Sequence, residues 1–185
     1  MDSSRGLRSS VLTAGLVGCL LWGLAPIAQA QSLWKGTQVG MSVTAIQRQF
    51  PRASAPPAPT RLTDGSRELL RLADTPVQGH AFDALFFFRQ GALQHVNLEL
   101  RETGGAVFAL QTFRSIKVAF DAKYGPPVDE QDQTFNAATG TATFRSASWR
   151  SGRTLITLSY ATAAGRLVVM NVAYRPAPSR STDDI

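Results

Sequence analysis

Two histidines, His80 and His95, are the only imidazoles in the chain. Asp83 and Glu99 lie close to them in sequence. Both histidines fall on segments that read as adjacent strands of one hairpin, which brings them together. Ser–His–acid catalysis needs a nucleophile, a base and a group that orients the base. A Gly-x-Ser-x-Gly elbow or another nucleophile motif is absent from this sequence. Two histidines and a carboxylate can hold a divalent ion, and His95 shares its predicted strand face with Asn97 and Glu99. Metal sites cluster their ligands more tightly than this, so water-exposed strand histidines are the expectation. Gly104-Gly105 precedes a helix but lacks the further Gly or Lys of a phosphate loop. Asp129, Glu130 and Asp132 lack the Gly and Glu of a calcium loop. No catalytic residue, metal ligand or cofactor is assigned, and the chain reads as non-enzymatic.

Recognition chemistry is better represented. Arginine and aromatic residues are enriched at binding hot spots. Phe87, Trp149, Arg150 and Arg153 are the candidate partner-binding set. Phe87 is the middle of Phe86-Phe87-Phe88, and consecutive strand residues face opposite ways. With Phe86 and Phe88 in the core, Phe87 is left on an otherwise polar face. The alternative is that residues 52–61 or the other half of the chain cover it.

The elements that must position these groups follow from spacing. Ser42 caps a helix with apolar Val43, Ile46 and Phe50, which Pro51 stops. Residues 52–61 contain three prolines and read as an extended linker. Glu68–Ala73, His80–Arg89 and Leu93–Leu100 read as strands, the last two joined at Gln90-Gly91. Ala106–Tyr124 carries apolar residues at 107, 110, 113, 116, 120 and 124, a helical period, and Gly125-Pro126-Pro127 ends it. The polar stretch Asp129–Gln133 leads into Thr141–Arg150, Arg153–Ala161 and Arg166–Tyr174. Laid over itself at an offset of 74, the chain matches Ile46 to Phe120, Phe50 to Tyr124 and Gly91 to Gly165. The expected fold is therefore α+β: two tandem helix-plus-three-strand repeats, about 39–101 and 105–175, with an antiparallel sheet and the helices packed on one face. Residues 31–175 form one domain, and 176–185 are a disordered tail. Val96, Leu98, Leu100, Met170, Val172 and Tyr174 face the helices. His95, Asn97, Glu99, Thr157, Ser159 and Asn171 face the other way.

Composition sets the wider limits. The 185 residues hold one cysteine and carry a formal charge of +6. That count excludes a disulfide framework and a CxxC pair. Residues 1–30 have the parts of an export signal: Arg5 and Arg8, the apolar run Val11–Ile27, and Ala28-Gln29-Ala30. Cleavage after Ala30 leaves no cysteine and no transmembrane segment. The lone Cys19 lies inside the apolar run; its lipidation, giving an envelope lipoprotein, is the alternative to a periplasmic or secreted product. Residues 31–185 retain 17 basic and 12 acidic groups, and 14 of the 17 are Arg. The excess suits an envelope protein or an anionic envelope component as partner rather than nucleic acid, because those are what an exported chain meets; with no dense basic run, the alternative is that the charge serves solubility and reflects an Arg-rich composition bias.

Gly40-Met41-Ser42, with Ile46 and Phe50-Pro51 after it, resembles the opening of small envelope proteins of the SmpA/OmlA kind. The helix-plus-strands order resembles the β-lactamase-inhibitor-protein architecture. The resemblance covers about a dozen residues and implies a binding module, with no role for a particular residue. A small-ligand or lipid carrier is the second reading, and a His-dependent enzyme the third.

Overall fold

The computed structural model describes residues 31–101, 104–137 and 140–178. The signal-peptide and Cys19 assignments, and residues 179–185 of the expected tail, lie outside the described residues. The first helix, α1 (Val43–Gln49), begins where the Ser42 hydroxyl accepts the Ala45 N–H at 3.2 Å, and it buries Ile46. Three strands follow: β1 (Arg67–Val77), β2 (His80–Arg89) and β3 (Ala92–Leu100). The long helix α2 (Gly105–Tyr124) comes next, then β4 (Asp129–Ala137), β5 (Gly140–Ser151), β6 (Thr154–Ala163) and β7 (Arg166–Pro176).

All seven strands form one antiparallel sheet in the order β1-β2-β3-β7-β6-β5-β4. This overturns the expected pair of helix-plus-three-strand repeats. Three strands follow a helix of 7 residues, whereas four follow a helix of 20. The strand missing from the sequence reading is β4, taken as a polar lead-in. An edge strand exposed on both faces needs no apolar side chain, because its main-chain bonds to β5 hold it. The match at an offset of 74 has a local cause. The β2–β3 and β6–β7 hairpins both turn on two residues at positive φ, Gln90 and Gly91 in one, Ala164 and Gly165 in the other. That is the conformation a two-residue hairpin requires. The same turn chemistry brings period-two strands into the same alignment without a repeated unit.

Both helices pack on one side of the sheet. Trp34, Phe50 and Phe86 stack there, with ring centroids 5.6–6.2 Å apart. Phe120 stands edge-on to Trp149 at 5.3 Å, and Phe113 meets Tyr160 at 6.2 Å. The buried stripe of α2 runs through Ala109, Phe113, Ile116 and Phe120. Val107, expected on that stripe, lies across the helix from it and is exposed. Order also begins earlier than Gly40. The Leu33 N–H bonds the Thr37 carbonyl, Trp34 is buried, and the Gly40 N–H bonds the Leu93 carbonyl. It ends later than Arg175, since β7 includes Pro176 and the Ala177 N–H bonds the Arg153 carbonyl.

Residues 52–61 are not a free linker. Ser54 exchanges both main-chain bonds with Arg71, and Arg61 bridges Arg67, so this segment covers the first part of the outer edge of β1. The chain then crosses the second face of the sheet. At one side the Glu68 N–H bonds the Thr60 carbonyl while Glu68 Oε2 accepts the Thr60 N–H. At the other side Asp64 Oδ2 lies 2.7 Å from His95 Nε2. Between these anchors, in the row Glu68–Phe87–His95, lies Phe87. Residues 60–66 thus form a strap over Phe87.

Candidate functional site

The four residues predicted to bind a partner do not converge. Phe87 is 1% exposed beneath the strap, and Trp149 is 0% exposed beneath α2. Neither can touch a partner, which corrects the predicted Arg/aromatic surface. Strand parity explains the split. Trp149 pairs with Ile156 and faces the helices, whereas Phe87 pairs with His95 and faces the strap. The Trp149 indole donates to Asp121 Oδ1 at 3.1 Å, and Lys117 reaches the other oxygen of that carboxylate at 3.1 Å. Arg150 is exposed on the strap side of the sheet, and Arg153 is exposed in the β5–β6 turn.

The histidines are also apart. His80 pairs with Val77 at one end of β2, and His95 pairs with Phe87 seven residues along it. At the rise of a strand, that is roughly 23 Å. His80 faces the helices, 5.6 Å from the Phe108 ring, and His95 faces the strap. Their separation and opposite faces contradict the expected proximity. The Ser66 main-chain N–H, aided by the His95 imidazole and the Ser66 hydroxyl, holds the Asp64 carboxyl at about 2 against a smaller opposing effect of burial. On the same face, burial pushes the Glu99 carboxyl up; the nearby Arg71 guanidinium only partly offsets it. Among the described residues no three His, Cys, Asp or Glu side chains are grouped to hold a metal ion. Glu130 turns to Lys117 at 3.4 Å and Asp132 to Arg145 at 3.1 Å, so the acidic stretch does not converge on one point. At Gly104 the Phe108 ring packs against the main chain.

A different group of residues does converge. Two adjoining clefts, of about 340 Å³ and about 350 Å³, share Leu33, Tyr124 and Tyr174. Their walls come from the N-terminal turn, the last turn of α2 and the β5–β6 turn. Arg153 lines the first cleft; Lys35 and Lys123 line the second. Lys35 Nζ sits 4.9 Å from the Trp34 ring centroid, and Lys123 Nζ 5.0 Å from that of Tyr124. Such cation–π contacts hold an ammonium in place without neutralising it. No aspartate or glutamate lines either cleft, and among the described residues none of these three cations has a carboxylate partner. Burial, and a hydrogen bond with Tyr124, push the Tyr174 phenol well above its usual range, so it stays protonated as a donor or acceptor. Gln31, whose amide donates to the Arg153 carbonyl, ties the N-terminal segment to the turn that carries Arg153.

The arrangement offers three cations, phenol hydroxyls and aromatic faces to a ligand with negative charge. Sequence reasoning found Arg153 but missed the rest. A signal was present: the chain has three lysines, and two of them directly follow or precede an aromatic residue, at Trp34-Lys35 and Lys123-Tyr124. Among the described residues no helix is long and apolar enough to cross a membrane. No family model, no curated protein and no solved structure matches this chain.

Proposed function

We propose that this protein is an exported, non-enzymatic binding module of the bacterial envelope that holds an acidic segment of an envelope protein in the cleft between Lys35, Lys123 and Arg153. The observation that carries this reading is the cation-lined, carboxylate-free cleft, with aromatic rings under two of its three charges. Export enters from the leader pattern of residues 1–30. Unpaired cations around a partly apolar depression attract a carboxylate-bearing chain from a distance and then orient it.

The test is a titration of the isotope-labelled protein, followed by amide chemical shifts, with a short glutamate-rich peptide. Perturbations are expected at Lys35, Lys123, Tyr124 and Arg153, weakening as salt is raised. A Lys35→Glu, Lys123→Glu double variant should lose them while keeping its melting temperature. Shifts centred elsewhere, or a peptide affinity untouched by the double variant, would discard the reading. A response to anionic phospholipid vesicles and none to the peptide would replace the protein partner with a lipid surface.

A further inference from the structure

The two edges of the sheet are treated differently. The first part of the outer edge of β1 is bridged by the chain itself, with Arg61 on Arg67 and Ser54 on Arg71. Among the described residues the outer edge of β4 has no such cover; β4 ends the strand order, and Glu130 to Asn136 are all exposed. An open edge of nine residues is a template for another strand.

Which groups it offers follows from register. The β5–β6 hairpin closes on Ser151 and Thr154 around Gly152-Arg153, so Ser151 and the odd-numbered residues of β5 bond to β6. The even-numbered residues of β5 then bond to β4, through Ser148 to Asp129 and Ser146 to Gln131. The main-chain donors and acceptors left facing outward are those of Glu130, Asp132, Thr134 and Asn136.

We propose that this edge pairs antiparallel with the same edge of a second copy, across a two-fold axis at Gln133, to form one continuous sheet through two molecules. The strand is self-complementary in this register, since its carboxylates lie in the first half and its second half is neutral. Gln133 is the middle of β4, so this register overlaps the whole strand. It sets Asp132 opposite Thr134, Glu130 opposite Asn136, Gln131 opposite Phe135, and Gln133 opposite itself. Every carboxylate meets a neutral residue, and Thr and Asn can donate to it. A two-fold at Asp132 would set that carboxylate against its own copy, and one at Gln131 would set Glu130 against Asp132; like charges in opposed positions destabilise a pair. Glu130 and Asp132 also bring their own counter-charges in Lys117 and Arg145. The pairing makes about eight main-chain hydrogen bonds and sets the exposed Phe135 ring over the Gln131 methylenes of the second copy.

Sedimentation of the full chain should show a doubled mass in the micromolar range. Thr134→Pro removes an outward N–H without touching a bond to β5, so it should give a monomer with an unchanged circular dichroism spectrum. In a Cys19→Ser background, Gln133→Cys should cross-link to itself on mild oxidation, because opposed Cβ atoms lie about 4.5–5.5 Å apart; Phe135→Cys should not. A monomer throughout that range overturns the proposal, as does a dimer that survives Thr134→Pro. Should Thr134→Pro fail to fold, the two cysteine variants decide: cross-linking at Gln133 alone supports this interface, and any other pattern overturns it. The acidic-peptide titration can fail without affecting this outcome, since the cleft and the β4 edge share no residue.

Discussion

Asp64 and His95 act as a clasp between a loop and a strand, and their chemistry fixes how the clasp responds to acid. The Asp64 carboxyl is depressed in the folded chain, from 3.8 to about 2. A depressed carboxyl contributes stability that is complete above its unfolded value and is lost as pH falls through its folded value. Asp64→Asn should therefore lower the melting temperature at neutral pH, and its difference from the parent should close as pH falls from 3.8 to about 2. A gap of constant size over that range would separate the strap from this carboxylate. Trp149 poses a packing question instead. Trp149→Ala empties a fully buried site and should cost about 3–5 kcal/mol in denaturant unfolding. Trp149→Phe keeps most of the volume but loses the indole's hydrogen bond to the partly exposed Asp121 carboxylate, at about 1 kcal/mol. At this scale the sequence was legible in residue type and blind to partners. Phe87 was correctly placed on the face opposite Phe86 by alternation, yet nothing in residues 60–66 announced that they would fold over it. Trp149 carried no parity signal of its own, because β5 is largely small or polar and its period is faint.

Helices and hairpins were the most legible elements, since period and punctuation mark them. Pro51 and Gly125-Pro126-Pro127 stop α1 and α2 where the structure stops them. The strand β4 was invisible for the reason that makes it adhesive: an edge strand wet on both faces has no hydrophobic period to read. Gly104 tests how α2 is seated. A Cβ there would lie 2.6 Å from Phe108 Cγ, near the rigid base of the ring rather than at a flexible end. Gly104→Ala should displace Phe108 from His80 and cost about 1–3 kcal/mol, with the change in chemical shift confined to the start of α2 and the β1–β2 turn. A neutral substitution would mean that Phe108 moves freely.

For the whole molecule, sequence arithmetic gave the excess of basic over acidic groups but not its placement. Three cations that are far apart in the chain, at 35, 123 and 153, meet only because the N-terminal turn, the end of α2 and the β5–β6 turn lie at one end of the sheet. Tertiary proximity of that kind leaves no local trace. The number of sheets was likewise not legible, because whether β3 pairs with β7 depends on contacts across more than seventy residues of chain. That pairing governs how the molecule comes into being. The strand at the centre of the sheet, β7, is the last in chain order among the described residues. Until it emerges from the ribosome, β3 and β6 each keep one edge unpaired, and neither flank can complete its core. Such long-range closure is slow, so residues 31–165 stay loose until β7 has been made. Deleting residues 166–178 should leave two sticky flanks rather than a smaller folded protein, seen as aggregation and loss of the cooperative melting transition. A domain whose central strand is made after the other six stays threadable until that strand appears, which is the state that the proposed export would demand.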